Sequence, residues 1–279
     1  MRIAASTYLN SAPLVYSFTQ GFLRKKYDFI GDEAPSRCAE MLRAGQCEIA
    51  LIPVIEFQRI PGLRIVPDIA VASKKRVRSV LIASRRPLEE VRTLTLDPAS
   101  RTSQALVRIL FQRRYGFLPE SMERTTRPSV NPWNLLGNLL GNLFDGADAA
   151  LVIGDPAMKL AAVAPSLDLK IYDLAEEWRA MTGLPCVFAV WAAREEVCDK
   201  ASGLVEDLIA AKREGIDHID RIATQYAAEL ELPLSDLLDY LSDNVNYDLD
   251  EENLLGMANY FDLAREYGLV PQTRSMLFL

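Results

Sequence analysis

The chain opens on a short apolar start, Ile3-Ala4, that breaks at polar Ser6-Thr7 and again at Asn10-Ser11. Beyond that break Leu14, Val15, Phe18 and Phe22 fall at helical spacing, and Asn10-Ser11 ahead of Pro13 is a helix-start signal. The pattern predicts a strand running into a helix N-terminus. Polar side chains and backbone amides delivered there make an anion site, although the same residues also serve as ordinary caps.

The alternation continues. Ile30–Ala34 reads as a strand, Pro35-Ser36 starts a helix carrying Cys38, Met41 and Leu42, and Gly45 closes it. Glu48–Val54 is a continuous apolar run, the pattern of a strand buried on both faces. Strands are predicted at Leu63–Ala72, Val77–Ala83 and Leu94–Leu96, followed by a turn at Asp97–Arg101 and a helix from Thr102 to about Tyr115. A helix at Leu135–Phe144, a strand at Ala149–Ile153 and a helix at Pro156–Val163 come next. Leu169–Tyr172 (strand), Leu174–Met181 (helix) and Cys186–Ala192 (strand) complete the alternation. From about Ser202 the pattern is helical, with Asp248 and Glu251 spaced as a capping box before the last helix. This order predicts α/β layers with mostly parallel sheets.

An internal echo points to two lobes. Leu42-x-x-Gly45 leads through Glu48 into Ala50-Leu51-Ile52, and Leu143-x-x-Gly146 leads through Asp148 into Ala150-Leu151-Val152. The strand exits that follow, Pro53-Val54-Ile55-Glu56 and Gly154-Asp155, lie where open α/β sheets bind ligands. The expected lobes are 1–84 with 188–279, and 85–187, facing each other across a cleft.

Composition narrows the partners. A net charge of −7 and basic runs no longer than Arg24-Lys25-Lys26 and Lys74-Lys75-Arg76 argue against nucleic acid. No apolar run approaches the roughly 18 residues of a membrane span. The N-terminal pattern does not read as a signal peptide, so the expected compartment is the cytoplasm. Cys38, Cys47, Cys186 and Cys198 match no zinc or redox spacing. The single histidine, His218, sits among Asp217, Asp220 and Arg221 and reads as a surface or helix-packing residue. No metal set and no phosphate loop is visible, so neither metal nor cofactor is expected.

Several motifs occur in order: Tyr8-Leu9-Asn10-Ser11 with Pro13-Leu14, the Gly45-to-Pro53 strand, and Ser79-Val80-Leu81 with Ser84. Asp97 through Ser100, Thr102 and Ser103 follow, then Ile153-Gly154-Asp155, and Trp178 through Thr182-Gly183-Leu184-Pro185 to Phe188-Ala189. This ordered set, over essentially the whole chain, resembles the menaquinone-biosynthesis family of the futalosine route, and within it the chorismate dehydratase branch.

The resemblance implies a two-lobed type II periplasmic-binding-protein-like α/β fold and a hydro-lyase that converts chorismate, a dianion, to 3-[(1-carboxyvinyl)oxy]benzoate and water. The branch is read from one position. The sister enzyme, which cyclises dehypoxanthine futalosine, is expected to carry a histidine base where this chain has Gly154. A non-catalytic small-anion-binding or sensing protein of the same fold is the other alternative.

Dehydration of this kind needs no strong base. The departing ring proton is acidified through the diene by the ring carboxylate, and aromatisation favours the product. The protein must hold a dianion and assist hydroxide departure. The resemblance points to Asn10 and Ser79 as catalytic groups that orient the substrate's own side-chain carboxylate, the expected proton acceptor, and the leaving hydroxyl. Ser11, Pro53, Ile55, Ser100, Thr102, Ser103, Gly154, Asp155 and Gly183 are the expected substrate-binding residues. Glu56, Arg37, Arg101 and Arg179 are weaker candidates, and Trp178 and Trp191 read as core.

Overall fold

The computed structural model describes residues 1–123, 143–200 and 203–279. Most of the helix expected at Leu135–Phe144 lies outside them. So does the start of the C-terminal helical region.

The first sheet forms from Arg2–Ser6 (β1), Asp28–Asp32 (β2), Ile49–Pro53 (β3) and Leu63–Ser73 (β4). Between these strands lie the helices Ala12–Thr19 (α1), Pro35–Arg43 (α2) and Val54–Arg59 (α3). The second sheet takes Val80–Ser84 (β5), Thr93–Leu96 (β6), Glu120–Glu123 (β7), Ala149–Ile153 (β8) and Lys170–Asp173 (β9). Arg101–Leu110 (α4), Asp155–Val163 (α5) and Leu174–Thr182 (α6) belong to that half. Cys186–Arg194 (β10) returns to the first sheet, and Leu204–Asp217 (α7), Ile219–Leu230 (α8), Leu234–Asp239 (α9) and Glu251–Glu266 (α10) close the chain.

The sheets run β2-β1-β3-β10-β4 and β7-β6-β8-β5-β9. In each, four strands run one way and one runs against them: β10 lies antiparallel to β3 and β4, and β5 antiparallel to β8 and β9. The expectation of mostly parallel sheets holds for four strands of each five, and the fifth, β10 or β5, is the strand that the crossing chain inserts from the other half. The internal echo has a structural counterpart. β3 and β8 each stand third in their sheet, and each follows a left-handed glycine, Gly45 (φ 68°) or Gly146 (φ 82°).

The crossings differ from the expected lobe boundaries. β5, expected in the first lobe, lies between β8 and β9 of the second sheet, so the chain crosses through 74–79. Cys186 and Val187, expected in the second lobe, already belong to β10 of the first sheet. One buried carboxylate ties the first crossing to the start of α6. Asp173 caps α6 by accepting from the Ala175 amide at 2.9 Å, and it also accepts from Val77 N at 3.0 Å and Arg78 N at 2.6 Å. Its pKa is raised because burial disfavours the charge.

Smaller shifts have equally local causes. The last helix is capped by Asp250, whose Oδ1 accepts from Asn253 N at 2.9 Å, while Asp248 instead pairs with Lys212 at 2.8 Å. α1 stops at Thr19, leaving Phe22 beyond it and exposed. The C-terminal helices pack on the first sheet's half: α7 lies against α1 so closely that a Cβ at Gly215 would collide with the Pro13 carbonyl.

Candidate functional site

The cleft between the two sheets is built from strand exits and helix starts. From the first half come Ser6 at the end of β1, Pro53 at the end of β3, Asn10 and Ser11 at the entry to α1, and Pro35 at the start of α2. From the second come Ser100 and Ser103 at the start of α4, Ile153 at the end of β8, and Gly154 before α5. Tyr8, Leu51, Val71, Val80, Phe188 and Ala189 complete the lining.

No lining residue among those described carries a charge. What the cleft offers an anion is the positive ends of four helix dipoles, from α1, α2, α4 and α5, together with neutral hydroxyl and amide groups. It holds about 490 Å³ of space not filled by atoms. Contacts of Gly154 with the Tyr8 ring, of Asp155 with the Leu9 amide and of Thr102 with the Phe188 carbonyl join the two halves beside it.

Asn10 sits on a short 3₁₀ turn, Leu9–Ser11, between β1 and α1. Its half-buried carboxamide makes no hydrogen bond to another described residue, so its donor and acceptor both remain for a ligand. Ser11 is spent on structure. Its hydroxyl donates to the carbonyls of Ser6 (2.7 Å) and Tyr8 (2.9 Å), which folds the turn that presents Asn10. Across the cleft the hydroxyls of Ser100 and Ser103 lie 2.7 Å apart, and Ser100 Oγ accepts from the Ser103 amide as the helix cap.

Of the expected site residues, Asn10, Ser11, Pro53, Ser100, Ser103 and Gly154 therefore line one cleft. Ser79, Ile55, Thr102, Asp155 and Gly183 do not. Ser79 is fully buried, and its Oγ accepts from Tyr240 Oη at 2.7 Å. Thr102 ties the halves together: its hydroxyl accepts from Ile55 N at 3.5 Å and donates to the Phe188 carbonyl at 3.1 Å. That bond also occupies Ile55. Gly183 is the left-handed C-cap of α6, away from the cleft lining.

Gly154 and Asp155 meet the first half directly. Gly154 has φ 69° and ψ −149°, and a Cβ built there would stand 2.9 Å from the Tyr8 ring. Only glycine suits both the backbone and the neighbour. Asp155 is 8% exposed, and its Oδ1 accepts from the Leu9 amide at 3.0 Å. Its pKa is pushed up to about 7, chiefly because burial disfavours the charge, with Glu229 adding to the rise while the Leu9 bond and Lys159 oppose it.

The weaker candidates have structural partners. Glu56 is fully buried and bonds Arg43 (2.7 Å), Arg59 (3.0 Å) and Arg101 (2.9 Å). Arg37 pairs with Asp32 and Arg179 with Glu252, both at 2.8 Å. Trp178 and Trp191 are core. His218 stacks on Tyr16 with ring centroids 4.6 Å apart, as a helix-packing residue. Among the described residues no cluster of three metal-binding side chains occurs, and Cys38, Cys47 and Cys186 are free and buried.

Tyr8 and Phe188-Ala189 stand in the sequence motifs without an assigned role, although both line the cleft. The usable signal is their place at strand exits, since Ala189 pairs with Pro53 at the carboxyl end of β3.

A family model described as menaquinone biosynthesis matches residues 1–266. A chorismate dehydratase of Thermus thermophilus is 30% identical over 268 residues, covering 91% of each chain. A second, from Campylobacter jejuni, is 24% identical, covering 94% of this chain and 92% of that one. Among solved structures, a protein from Archaeoglobus fulgidus superposes with a TM-score of 0.72 at 16% identity, over 96% of this chain and 98% of that chain. The periplasmic aliphatic sulphonate binding protein of Escherichia coli gives 0.64 at 16% identity, over 98% and 94%. At these identities the structural likeness carries the two-lobed fold alone.

Proposed function

Because the chain belongs to the menaquinone-biosynthesis family, we propose that it is a chorismate dehydratase, converting chorismate to 3-[(1-carboxyvinyl)oxy]benzoate and water in the futalosine route. One observation carries the reading. The Asn10 carboxamide, without a hydrogen bond among the described residues, faces a cleft whose described lining is uncharged and on which four helix N-termini converge. Such a cleft suits a small dianion whose reaction needs positioning more than a strong base.

In this reading the helix starts and the Ser100–Ser103 pair hold the carboxylates. The ring carbon bearing the enol-ether oxygen loses its proton to the substrate's side-chain carboxylate, hydroxide leaves the neighbouring carbon, and the ring becomes aromatic. Asn10 fixes the conformer that brings carboxylate and proton together. Ser79 acts from behind the lining: Tyr240 donates to its oxygen and so leaves the Ser79 proton free to be donated.

Packing supports this branch over the sister cyclase. A histidine at Gly154 would need a left-handed backbone and would drive its side chain into Tyr8. The free thiols support a reducing, cytoplasmic setting.

Incubating the purified protein with chorismate and following loss of water by mass, together with the new benzoate absorbance, tests the proposal. Turnover that survives chelator and dialysis is the expected result. Chorismate bound but unchanged would point to a small-anion sensor instead.

A further inference from the structure

We infer that Asp155 is a positioning residue for Asn10, acting across the cleft through the Leu9 amide rather than on the substrate. The inference rests on the dehydratase reading and deepens it.

Three observations converge. The Asp155 carboxylate does not line the cleft, yet its Oδ1 receives the Leu9 N–H at 3.0 Å from the other sheet's half. Leu9 is fully buried and begins the three-residue turn on which Asn10 is the middle residue. One residue earlier, the Tyr8 ring lies on Gly154, the neighbour of Asp155. The dipeptide Gly154-Asp155 therefore grips Tyr8-Leu9 when the cleft is shut. Among the described residues the Asn10 carboxamide has no hydrogen-bond partner to hold it. Closure and alignment of Asn10 become one event, and an open cleft leaves the turn without its seat.

The bond is sensitive to charge. An ionised carboxylate accepts an amide more strongly than a neutral acid does. The groups bearing on Asp155 are Lys159 on its own helix α5, Glu229 and Tyr226 on α8, and Tyr240 after α9. With burial, they place its titration near neutrality, at about 7.

The test uses the full-length chain with Asp155→Asn and Asp155→Ala, each assayed on chorismate from pH 5.5 to 8.5, with hydrogen exchange read at the Leu9 amide. Asn keeps an acceptor oxygen and loses the titration. Asp155→Asn, neutral at every pH, should hold about the turnover that the wild type keeps at pH 5.5, above that of Asp155→Ala, and should lack the wild type's rise toward pH 8.5. Asp155→Ala should lower kcat about tenfold or more with little change in KM. Its Leu9 amide should exchange about tenfold faster.

A raised KM at unchanged kcat would make Asp155 a substrate ligand and overturn the inference. Equal kcat for Asn and Ala, or unchanged Leu9 exchange in both, would also overturn it. If Asp155→Ala does not fold, the pH profile of Asp155→Asn against wild type still decides. Absence of wild-type turnover would refute the dehydratase reading instead, and Leu9 exchange in the two variants would still report on the grip.

Discussion

Tyr240 Oη donates to Ser79 Oγ at 2.7 Å with both side chains buried, so the C-terminal helical region reaches the point where the chain crosses between sheets. The same serine's carbonyl accepts the Gly154 amide at 2.7 Å. Tyr240→Phe keeps the ring and removes the donor, leaving the Ser79 hydroxyl without that partner. We expect a loss of about 1–3 kcal/mol in urea unfolding. If the pair acts as a unit, Tyr240→Phe and Ser79→Ala should lower kcat in a non-additive way, read from a double-mutant cycle. Strict additivity would show that the contact is packing alone.

Asn10→Ala should lower kcat by about 10²–10³ with a smaller effect on KM, because its carboxamide serves the transition-state conformer. Ser103→Ala should mainly raise KM, since a carboxylate held there is present before and after the chemical step. Thr102→Ala should behave differently from Ser103→Ala. Its hydroxyl bridges Ile55 and Phe188 rather than facing the cleft, so its loss should appear in the thermal melt. Steady-state kinetics beside melting curves separate these outcomes.

Much of this was legible in the sequence, for identifiable reasons. Continuous apolar runs such as Ile49–Pro53 and Ala149–Ile153 are strands buried on both faces, and their exits mark the cleft. The helix starts at Pro13, Pro35 and Ser100 announce themselves by cap chemistry. The sheet to which Val80–Ser84 belongs was not legible, because a strand's partners are set by long-range pairing and Asp173 lies far along the chain from Val77. Nor could spacing distinguish Ser103, which lines the cleft, from Thr102, which faces Ile55 and Phe188. Asp155 reads from sequence as a cleft carboxylate. That it bonds a backbone amide of the opposite half follows only from the folded geometry.

Gly154→Ala puts a methyl group 2.9 Å from the Tyr8 ring and onto a backbone of φ 69° and ψ −149°, a region reserved for glycine. Backbone strain of about 1–3 kcal/mol is expected. Displacement of Tyr8 should also loosen the turn that carries Asn10. The variant should melt earlier and lose turnover even at temperatures where it is fully folded. Full activity in the folded variant would show that the Tyr8 contact is dispensable.

Glu56 concentrates three arginines on a fully buried carboxylate, and Arg101 brings the second sheet's half into the network. Removing one member of a buried ion pair typically costs about 3–5 kcal/mol because a desolvated charge is left behind. The arginines here are partly exposed, so the lower end of that range applies. Glu56→Ala should therefore unfold about 3 kcal/mol more easily, while the folded fraction keeps its kcat. A folded variant with lost turnover would instead place Glu56 in the chemistry.

The Asp155 carboxyl also sets a slope of stability with pH. Burial raises its pKa from the ordinary aspartate value to about 7 in the folded chain, whereas the unfolded chain titrates near the ordinary value. Between those limits the folded state holds one more proton than the unfolded state, so stability falls as pH rises. The contribution is full below about pH 4 and is lost as pH passes through about 7. A shift of this size corresponds to about 4 kcal/mol across the window. Asp155→Asn removes the titration without removing the acceptor. Urea unfolding of both proteins at pH 5, 6, 7 and 8 should give curves that diverge, with the variant gaining on the wild type at each step toward pH 8. Titrations of all other groups cancel in that difference, so parallel curves would mean that Asp155 ionises as freely in the folded chain as in the unfolded one. Divergence would identify a buried carboxylate retained at the cleft despite its cost, in keeping with a charge kept for grip on Leu9 rather than for stability.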